Sequence, residues 1–439
     1  MTQHDHSPQR LAVRGDLLDF SGPPPWGDER PDVVRFRPDH WLIVADGRIE
    51  AVQPPSFEPD AGWRRLDRRG RLVMPGFIDT HVHSPQIDNI ASYGAELLDW
   101  LNRYTFPAEQ RFADPAEARA GAQRFVDLLL AHGTTAAVVF PTVHKVSADE
   151  LFAAAAERGM RIITGKVLMD RHAPDGLRDD VQQAERDCVD LIDRWHGRDR
   201  LAYALTVRFA VTSSPAQMAM AARLLAAYPD TYMQTHVAEN RAEVQWVREL
   251  FPQSRSYLDV YRDAGLMNRR AVLAHGIWLD DADRAVLAAT GAQIAHSPSS
   301  NLFLGSGLFD WRAMEAAGAA VSLASDVGGG TSLSMLRTIA DAYKVQALAG
   351  QRLTAWKALY TATRGAAAAL GLDHEIGSFD VGRTADLCVW DWAVGGLQQR
   401  RAELARTLHE RLFAWMMLAD ERNLVDTLIA GVPRHSRDR

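Results

Sequence analysis

The middle of the chain alternates short apolar runs with longer stretches of helical character. Eight such runs occur, at residues 72–83, 134–140, 161–169, 202–209, 231–237, 271–275, 293–296 and 320–326. Amphipathic or alanine-rich stretches separate several of them, at residues 116–132, 148–158, 180–195, 215–227 and 241–250. This alternation predicts an α/β fold in which eight parallel strands close into a (β/α)8 TIM barrel. Active sites of such barrels lie at the carboxyl ends of the strands, so the residues that end these runs are the candidates for function.

Strand patterns also occur near both ends of the chain, outside this repeat. The β-rich runs with turn signals are residues 32–52, 384–392 and 425–431. We expect the two terminal portions to meet as a small β-sandwich domain. The predicted boundaries assign residues 1–72 and 376–439 to this domain and residues 73–375 to the barrel.

The composition indicates a small-molecule partner. With 439 residues, of which 47% are hydrophobic, the chain can bury a large core. A net charge of −7 argues against a nucleic-acid surface, which needs clustered Lys and Arg. Residues 1–18 have no signal-peptide core, and no later apolar stretch reaches membrane-spanning length. We therefore expect a cytoplasmic protein that binds neither nucleic acid nor membrane.

The two cysteines, Cys188 and Cys388, lie far apart in the sequence. They support neither a disulfide framework nor a cysteine-based zinc site. We expect both to be buried thiols.

Five candidate metal ligands stand at the ends of the apolar runs. His81 and His83 are one residue apart, and the period of two along a strand turns both imidazoles to one face. Later runs end in His236, His275 and Asp326. Nitrogen and carboxylate ligands from separate strand ends are typical of a catalytic metal centre, whereas structural zinc more often uses clustered thiolates. The alternative is a set of strand histidines that bond to their neighbours.

Glu239 follows His236 by three residues, so the turn that leaves the strand can bring its carboxylate back to the metal. Water bound to zinc has a pKa of about 7, and a carboxylate beside it can pass its proton to a leaving group. Asp326 precedes a glycine string at residues 328–330, which permits a tight turn near a ligand. The alternatives are a solvated glutamate at a helix N-terminus and, for Asp326, a helix N-cap.

Three further residues end apolar runs. Arg208 and Phe209 end the fourth run, where an arginine fork beside an aromatic ring suits a planar heterocycle that bears a carbonyl group. The alternative is an arginine paired with a carboxylate. His296 ends the seventh run and is either a hydrogen-bonding partner of a metal ligand or a packed core residue.

Two motifs carry a resemblance to a known family. Residues 75–86 read Pro-Gly-Phe-Ile-Asp-Thr-His-Val-His-Ser-Pro-Gln, and residues 98–109 read Leu-Asp-Trp-Leu-Asn-Arg-Tyr-Thr-Phe-Pro-Ala-Glu. The first resembles the first-strand motif of the amidohydrolase superfamily. The second is similar to the stretch that follows it in the guanine deaminases. Further similar segments span nearly the whole barrel, at residues 165–170, 208–209, 236–240, 274–276, 296–302, 325–327 and 334–336.

The resemblance implies one zinc ion per subunit. The implied ligands are His81, His83, His236 and Asp326. His275 would lie close by, as a further ligand or as a hydrogen-bonding partner of the attacking water. Two-metal members of the superfamily carry a bridging lysine at the end of the fourth strand. This chain has residues 206–209 there, and Lys166 belongs to the third predicted strand, so a single metal is favoured.

The resemblance also implies a set of substrate-binding residues. They are Gln86, Trp100, Arg208, Phe209, His236 and Glu239. Gln86 and Arg208 would hydrogen-bond to the purine edge, as arginine does to the O6/N7 edge of guanine in DNA, and Phe209 would contact the ring.

Other features implied by the resemblance concern assembly and pocket shape. Guanine deaminases imply a homodimer, and residues 100–112 are a candidate lid. Ser297 and Ser299 depart from the family pattern, which usually has cysteine and asparagine at these positions. The fine shape of the pocket is therefore open.

The implied reaction is the hydrolytic deamination of guanine to xanthine and ammonia, a step of purine catabolism. Zinc-bound hydroxide would attack C2, Glu239 would deliver the proton to the ring nitrogen, and Asp326 would hold or deprotonate the water. One alternative is an amidohydrolase that acts on another heterocycle, such as 8-oxoguanine, a pterin or a chlorinated triazine. The alternative from another class is a non-catalytic binding protein with the same fold.

Overall fold

The computed structural model describes residues 10–93 and 97–438. Half of the segment predicted to lack a signal-peptide core, residues 1–9, lies outside this range. Within the described residues the chain divides into two compact units. One holds the residues up to Ile78, Leu130–Thr135 and those from Thr354 onward, and the other holds Asp79–Leu129 and Ala136–Leu353.

Sixteen strands occur in the described part of the chain. They are β1 (Arg10–Phe20), β2 (Val34–Ala45), β3 (Arg48–Gln53), β4 (Arg64–Pro75), β5 (Phe77–His83), β6 (Thr134–Phe140), β7 (Arg161–Thr164), β8 (Val167–Leu168), β9 (Leu201–Val207), β10 (Tyr232–Val237), β11 (Ala271–His275), β12 (Gln293–His296), β13 (Ala320–Leu323), β14 (Leu387–Trp390), β15 (Leu424–Ile429) and β16 (Val432–Ser436).

Helices connect most of these strands. They are α1 (Leu97–Trp100), α2 (Phe106–Gln110), α3 (Pro115–Ala131), α4 (Lys145–Arg158), α5 (Val181–Trp195), α6 (Pro215–Ala227), α7 (Arg241–Leu250), α8 (Tyr257–Asp263), α9 (Asp281–Thr290), α10 (Pro298–Phe303), α11 (Trp311–Ala316), α12 (Met335–Leu348), α13 (Ala355–Thr361), α14 (Arg364–Ala369), α15 (Gly396–Glu403) and α16 (Leu408–Leu418). Short 3-10 helices span Ser84–Asn89, Arg111–Ala113, Asp175–Leu177 and Glu421–Asn423, and a π-helix spans Leu101–Thr105.

The predicted TIM barrel is confirmed. Strands β5 to β13 form one sheet in the order β13-β12-β11-β10-β9-β7-β6-β5, and β8 also pairs with β9. The pairings from β6 onward are parallel. Nearly every residue of these strands is buried, which is why they read as continuous apolar runs in the sequence.

The first and last strands of the barrel meet through the residues that follow β13. The N–H of Asp326 donates to the carbonyl oxygen of His81 over 2.9 Å, and the N–H of His83 donates to that of Val327 over 2.8 Å. The buried carboxylate of Asp79 accepts hydrogen bonds from the N–H and the hydroxyl of Ser325. These bonds nearly close the barrel and place the histidines of β5 beside Asp326.

Local sequence signals explain several helix boundaries that were predicted correctly. Helix α5 begins after Asp180, whose side chain accepts the N–H of Gln183 over 2.8 Å. Helix α6 begins after Ser214 with Pro215 in its first turn. Helix α4 ends at Gly159, which has a φ of 68°.

The terminal strands form a second sheet in the order β16-β15-β14-β4-β1-β2-β3. All its pairings are antiparallel except the parallel pair of β1 and β4. Alternate residues of these strands share one apolar core, which contains Leu11, Val13, Leu42, Val44, Val73, Leu387, Val389, Val425 and Leu428. The terminal segments therefore meet as predicted, and their hydrogen bonding is continuous through all seven strands. The two cysteines are buried free thiols, as predicted.

No helix in the described part of the chain combines the length and the apolarity that a membrane crossing requires.

The third barrel strand is interrupted, whereas the sequence predicts one run at residues 161–169. Strands β7 and β8 both pair with β9, and the gap between them contains Gly165. A Cβ atom at this position would fall on the backbone carbonyl oxygen of Ala204 in β9. The close backbone approach therefore requires glycine.

We expect Gly165→Ala to destabilise the protein, because a backbone carbonyl cannot move aside as a flexible side chain can. Overpacking of this kind typically costs about 1–3 kcal/mol, and the midpoint of thermal unfolding should fall by a few degrees. Gly62→Ala is the control, since a Cβ at Gly62 has no atom within 4 Å. Equal unfolding midpoints for the two variants would contradict the steric argument.

Candidate metal centre and substrate pocket

Four side chains, three of them buried and that of His236 partly buried, point their ligand atoms at one place at the carboxyl ends of the barrel strands. They are His81, His83, His236 and Asp326, with ligand atoms all within 4.8 Å of one another. The Nε2 atom of His83 lies 3.2 Å from the Nε2 atoms of both His81 and His236. Asp326 Oδ1 lies 3.1 Å from the Nε2 of His81 and 3.3 Å from that of His83. All four residues are sequence-predicted candidates.

This donor set fits a divalent transition metal. Donor atoms about 2.0–2.1 Å from a tetrahedral zinc ion stand about 3.3–3.4 Å apart, close to the four separations given above. Zinc is a borderline-soft ion that binds both imidazole nitrogen and carboxylate oxygen. No lysine or arginine forms an ion pair with Asp326 among the described residues, so a bound cation would satisfy its charge.

The protonation states favour metal binding. Burial lowers the pKa of His83 to about 3. Burial, followed by the neighbouring His81 and His83, lowers the pKa of His236 well below its usual value. Burial alone would raise the pKa of Asp326, but the imidazoles, His81 above all, hold it well below the usual value. At neutral pH His83 and His236 are thus neutral and Asp326 is ionised, as metal ligation requires.

Outer hydrogen bonds and packing orient these histidines. The Nδ1–H of His236 donates to the carbonyl oxygen of Arg208 over 2.6 Å, which leaves the Nε2 lone pair for the group. The ring of Phe140 packs against His81, His83 and His236, with each centroid 4.9 Å away. A hydrogen bond and packing therefore hold the ring of His236, and packing against Phe140 restricts those of His81 and His83.

Backbone strain concentrates at the strand ends that carry the site. Three non-glycine residues there have a positive φ: Ala238 at 47°, His275 at 72° and Asp326 at 50°. Such conformations cost free energy and persist where the surrounding structure imposes them, often at functional sites. They turn the chain sharply just after β10, within the end of β11 and after β13.

His275 stands beside the four-residue group. Its Nε2 lies 3.6 Å from Asp326 Oδ2 and 3.4 Å from Glu239 Oε2. Its Nδ1 bonds to Asn301 Oδ1 over 2.9 Å, which fixes the ring. His275 therefore contacts the carboxylates of both Asp326 and Glu239.

Glu239 is only 3% exposed, so it is not a solvated glutamate. Its Oε1 accepts a hydrogen bond from the hydroxyl of Ser306 over 3.0 Å. Burial raises the pKa of Glu239 to about 8, with a further contribution from the negative charge of Asp326. Glu243 accepts the backbone N–H groups of Glu239 and Asn240, each over 3.1 Å, and so fixes the turn.

One pocket of about 430 Å³ contains most of the predicted site residues. It is lined by His83, Gln86, Trp100, Leu101, Arg208, Phe209, His236, Glu239, Glu243, His275, Ser300, Leu304, Asp326 and Gly329. Apart from His81, the candidate metal ligands thus share one cavity with the proton-shuttle candidate and the predicted substrate-binding residues.

Arg208 pairs with a carboxylate while it lines the pocket. Its Nη1 donates to both oxygens of Glu109, over 2.8 and 2.7 Å. Gln86 Nε2 donates to the same carboxylate over 3.0 Å. Arg208 therefore both lines the pocket and pairs with a carboxylate. The two roles considered from the sequence are compatible.

Two residues considered in the sequence analysis, His296 and Lys166, lie elsewhere. His296 is fully buried and stacks on Phe309 with centroids 4.6 Å apart, outside the four-residue group. Lys166 pairs with Asp179 and donates to the carbonyl oxygen of Val167.

The two serines that depart from the family pattern also bond outside the four-residue group. Ser297 donates to the carbonyl oxygen of Ala295, and Ser299 bonds to Thr331. Neither serine lines the pocket, whereas Ser300 does. The helix-cap alternative for Asp326 is wrong, since Ser334 occupies the N-cap of α12.

Sequence reasoning did not assign roles to several residues of the site. They are Leu101, Glu109, Glu243, Ser300, Asn301, Leu304, Ser306 and Gly329. Glu109 and Asn301 fall within the quoted family-like motifs, and Glu243 carries a capping-box signal. Ser306 has no local signal, because its partner Glu239 is 67 residues away.

We expect the protein to hold about one tightly bound divalent metal ion per chain. The variant His236→Asn should lose most of this metal, because the change removes one of four converging donors. His296→Gln, which alters a buried histidine outside the group, should retain the metal. Elemental analysis after dialysis against a weak chelator measures both. Full metal content in His236→Asn would contradict the assignment of the group.

Comparisons with known proteins agree with this arrangement. The chain matches the Amidohydrolase family over residues 72–433. It is 43% identical to guanine deaminase of Escherichia coli K12 over 423 residues, which is 96% of each chain. The structure superposes on that of E. coli guanine deaminase with a TM-score of 0.93, covering 98% of this chain and 99% of the other at 42% identity.

A second structural relative was solved with its ligand. Guanine deaminase from C. acetobutylicum, with guanine bound in its active site, gives a TM-score of 0.86 at 29% identity. The match covers 97% of this chain and 99% of the other. With a family match over most of its length and full-length relatives of this kind, the chain belongs to the amidohydrolase family, and these relatives within it are guanine deaminases.

Proposed function

We propose that this protein is a guanine deaminase, a hydrolase that converts guanine and water to xanthine and ammonia with one zinc ion per subunit. The observation that carries the proposal is the single pocket in which a metal-type donor group, a buried glutamate and two fixed hydrogen-bond donors meet. The identity of the substrate is inferred from the guanine deaminases that are 43% identical in the sequence comparison and 42% identical in the structural comparison.

The metal would be held by His81, His83, His236 and Asp326. Zinc in such a site acts as a Lewis acid and makes water a nucleophile at neutral pH. His275 lies within 3.6 Å of Asp326 and would hydrogen-bond to the attacking water rather than complete the donor set. Asp326, held ionised, can also accept a proton from that water.

Glu239 would move the proton between water and substrate. A carboxyl with a pKa raised to about 8 can both hold and release a proton near neutrality. Ser306 holds one of its oxygens, and the other faces His275 over 3.4 Å. We assign to Glu239 the transfer of a proton to the ring nitrogen next to C2 and then to the departing amino group.

Arg208, Gln86, Phe209 and Trp100 would bind the purine. The contacts with Glu109 use only Nη1 of Arg208, so the N–H groups of Nε and Nη2 are available to a ligand. The carbonyl oxygen O6 and the ring nitrogen N7 of guanine are two acceptors on one edge, and they match such a fork. Phe209 and Trp100 line the same pocket and offer aromatic faces to the ring.

The alternatives raised by the sequence are less well supported. None of the relatives described above acts on a pterin, a triazine or 8-oxoguanine by its name. A non-catalytic binding protein would not need a buried glutamate beside a metal-type donor group. Assays with guanine, 8-oxoguanine, a pterin and a chlorinated triazine separate these cases, and we expect guanine to be turned over most efficiently.

We also propose a homodimer in the cytoplasm. The support is the resemblance to guanine deaminases. Sedimentation equilibrium of the purified protein tests the oligomeric state, and a monomeric mass would contradict it.

We expect Glu239→Gln to retain bound zinc while kcat for guanine falls by about two to four orders of magnitude, the usual contribution of a general acid–base group. Glutamine keeps the shape but cannot carry the proton. The control is Glu249→Gln, an exposed glutamate on the same connection. Xanthine and ammonia formation measures the effect, and wild-type turnover in Glu239→Gln would remove the shuttle role.

Arg208→Lys should raise KM for guanine roughly tenfold or more and change kcat less, because lysine can still pair with Glu109 but lacks the fork. The exposed Arg223→Lys serves as control. Steady-state kinetics give both constants. An unchanged KM would place Arg208 outside substrate recognition.

A further inference from the structure

Glu109 connects the two hydrogen-bond donors of the pocket. It lies on α2, is fully buried, and does not line the pocket itself. One of its oxygens, Oε1, accepts both Arg208 Nη1 over 2.8 Å and Gln86 Nε2 over 3.0 Å. The other, Oε2, accepts Arg208 Nη1 over 2.7 Å. Any effect of Glu109 on a ligand must therefore pass through these two residues.

The amide of Gln86 is fixed from both sides. Its Oε1 accepts the backbone N–H of Gly328 over 3.1 Å, while its Nε2 donates to Glu109. If the amide of Gln86 were flipped, its carbonyl oxygen would face the carboxylate of Glu109 and its amino group would face the N–H of Gly328. Both contacts would be repulsive. Gln86 therefore keeps its amino group on the side of Glu109 and Arg208, with one N–H not used by Glu109.

Burying the ion pair of Glu109 and Arg208 costs desolvation free energy. Their side chains are 0% and 3% exposed, and removing two charges from water is expensive even when they pair well. Buried ion pairs are therefore weak evidence for a role in stability alone. A role in specificity accounts for the pair, because the carboxylate holds the guanidinium, which can only donate, and orients the amide of Gln86 so that its amino group also donates.

We propose that Glu109 is a positioning residue that makes the pocket prefer an oxo group over an amino group on the purine edge bound by Arg208 and Gln86. This rests on the proposed function for the identity of the ligand. Both residues present N–H groups, which bind a carbonyl oxygen and an unprotonated ring nitrogen. An amino group at the same place would leave donors facing donors, and unpaired buried polar groups cost affinity.

A substitution of Glu109 should have a different effect if the residue positions Arg208 and Gln86 than if it merely supports the fold. A glutamine at this position would have its own amino group, which competes with the donors of Arg208 and Gln86. The amide of Gln86 could then turn and present its oxygen to the ligand. The preference between oxo and amino ligands would shift, whereas loosening of the fold would weaken both ligands alike.

The test compares guanine with 2,6-diaminopurine, which carries an amino group in place of the oxo group. Dissociation constants are measured by equilibrium binding to zinc-loaded protein in the Glu239→Gln background, where turnover is slow. Adding Glu109→Gln should reduce the preference for guanine at least tenfold, in line with the loss of one good bidentate contact. Adding Glu109→Asp, which keeps the charge but shortens the side chain, should reduce it less.

Glu117→Gln is the matched control, because Glu117 is exposed and pairs with Arg111 at the surface. If Glu109→Gln does not fold, the charged Glu109→Asp variant carries the test and should shift the preference in the same direction. An unchanged preference in a folded variant, or equal weakening of both ligands, would overturn the inference. If the wild-type protein does not turn over guanine, the proposed function is contradicted. The preference between guanine and 2,6-diaminopurine can still be measured in that case.

Discussion

The donor atoms of the four-residue group converge on one place, and the rest of the site depends on this convergence. Lone pairs of imidazoles at 3.2 Å repel one another, and a buried carboxylate beside them needs a positive partner. A divalent cation resolves both problems at once. The fold imposes this convergence through the bonds between Asp326 and His81 and between His83 and Val327, which nearly close the barrel. The positive φ of His275 and Asp326 is part of the same arrangement.

Arg208 joins the metal side of the pocket to its recognition side. Its carbonyl oxygen accepts the Nδ1–H of His236 and so orients a candidate ligand. Its guanidinium is held by Glu109 and lines the pocket. A shift of β9 would therefore disturb the proposed metal site and the proposed substrate contacts together. This coupling would explain why the residue proposed for recognition stands at a strand end rather than on a loop.

The sequence predicted the barrel because its strands are buried on both faces and read as continuous runs. The strands at residues 134–140, 271–275 and 293–296 were predicted to the residue. The last run, 320–326, was predicted too long: β13 ends at Leu323, because the chain then turns to pair with β5. The ligand candidates were found because they end these runs. Glu109 and Ser306 received no role, because their partners Arg208 and Glu239 are 99 and 67 residues distant and no local pattern encodes such contacts.

The proposed function requires one zinc ion in the four-residue group for guanine deamination. The most direct measurement is the rate of xanthine formation as zinc is added stepwise to metal-free protein. We expect no activity without metal, a linear rise as zinc is added, and a plateau at one zinc per chain. Full activity in the metal-free protein, or a plateau that requires two zinc ions per chain, would contradict it.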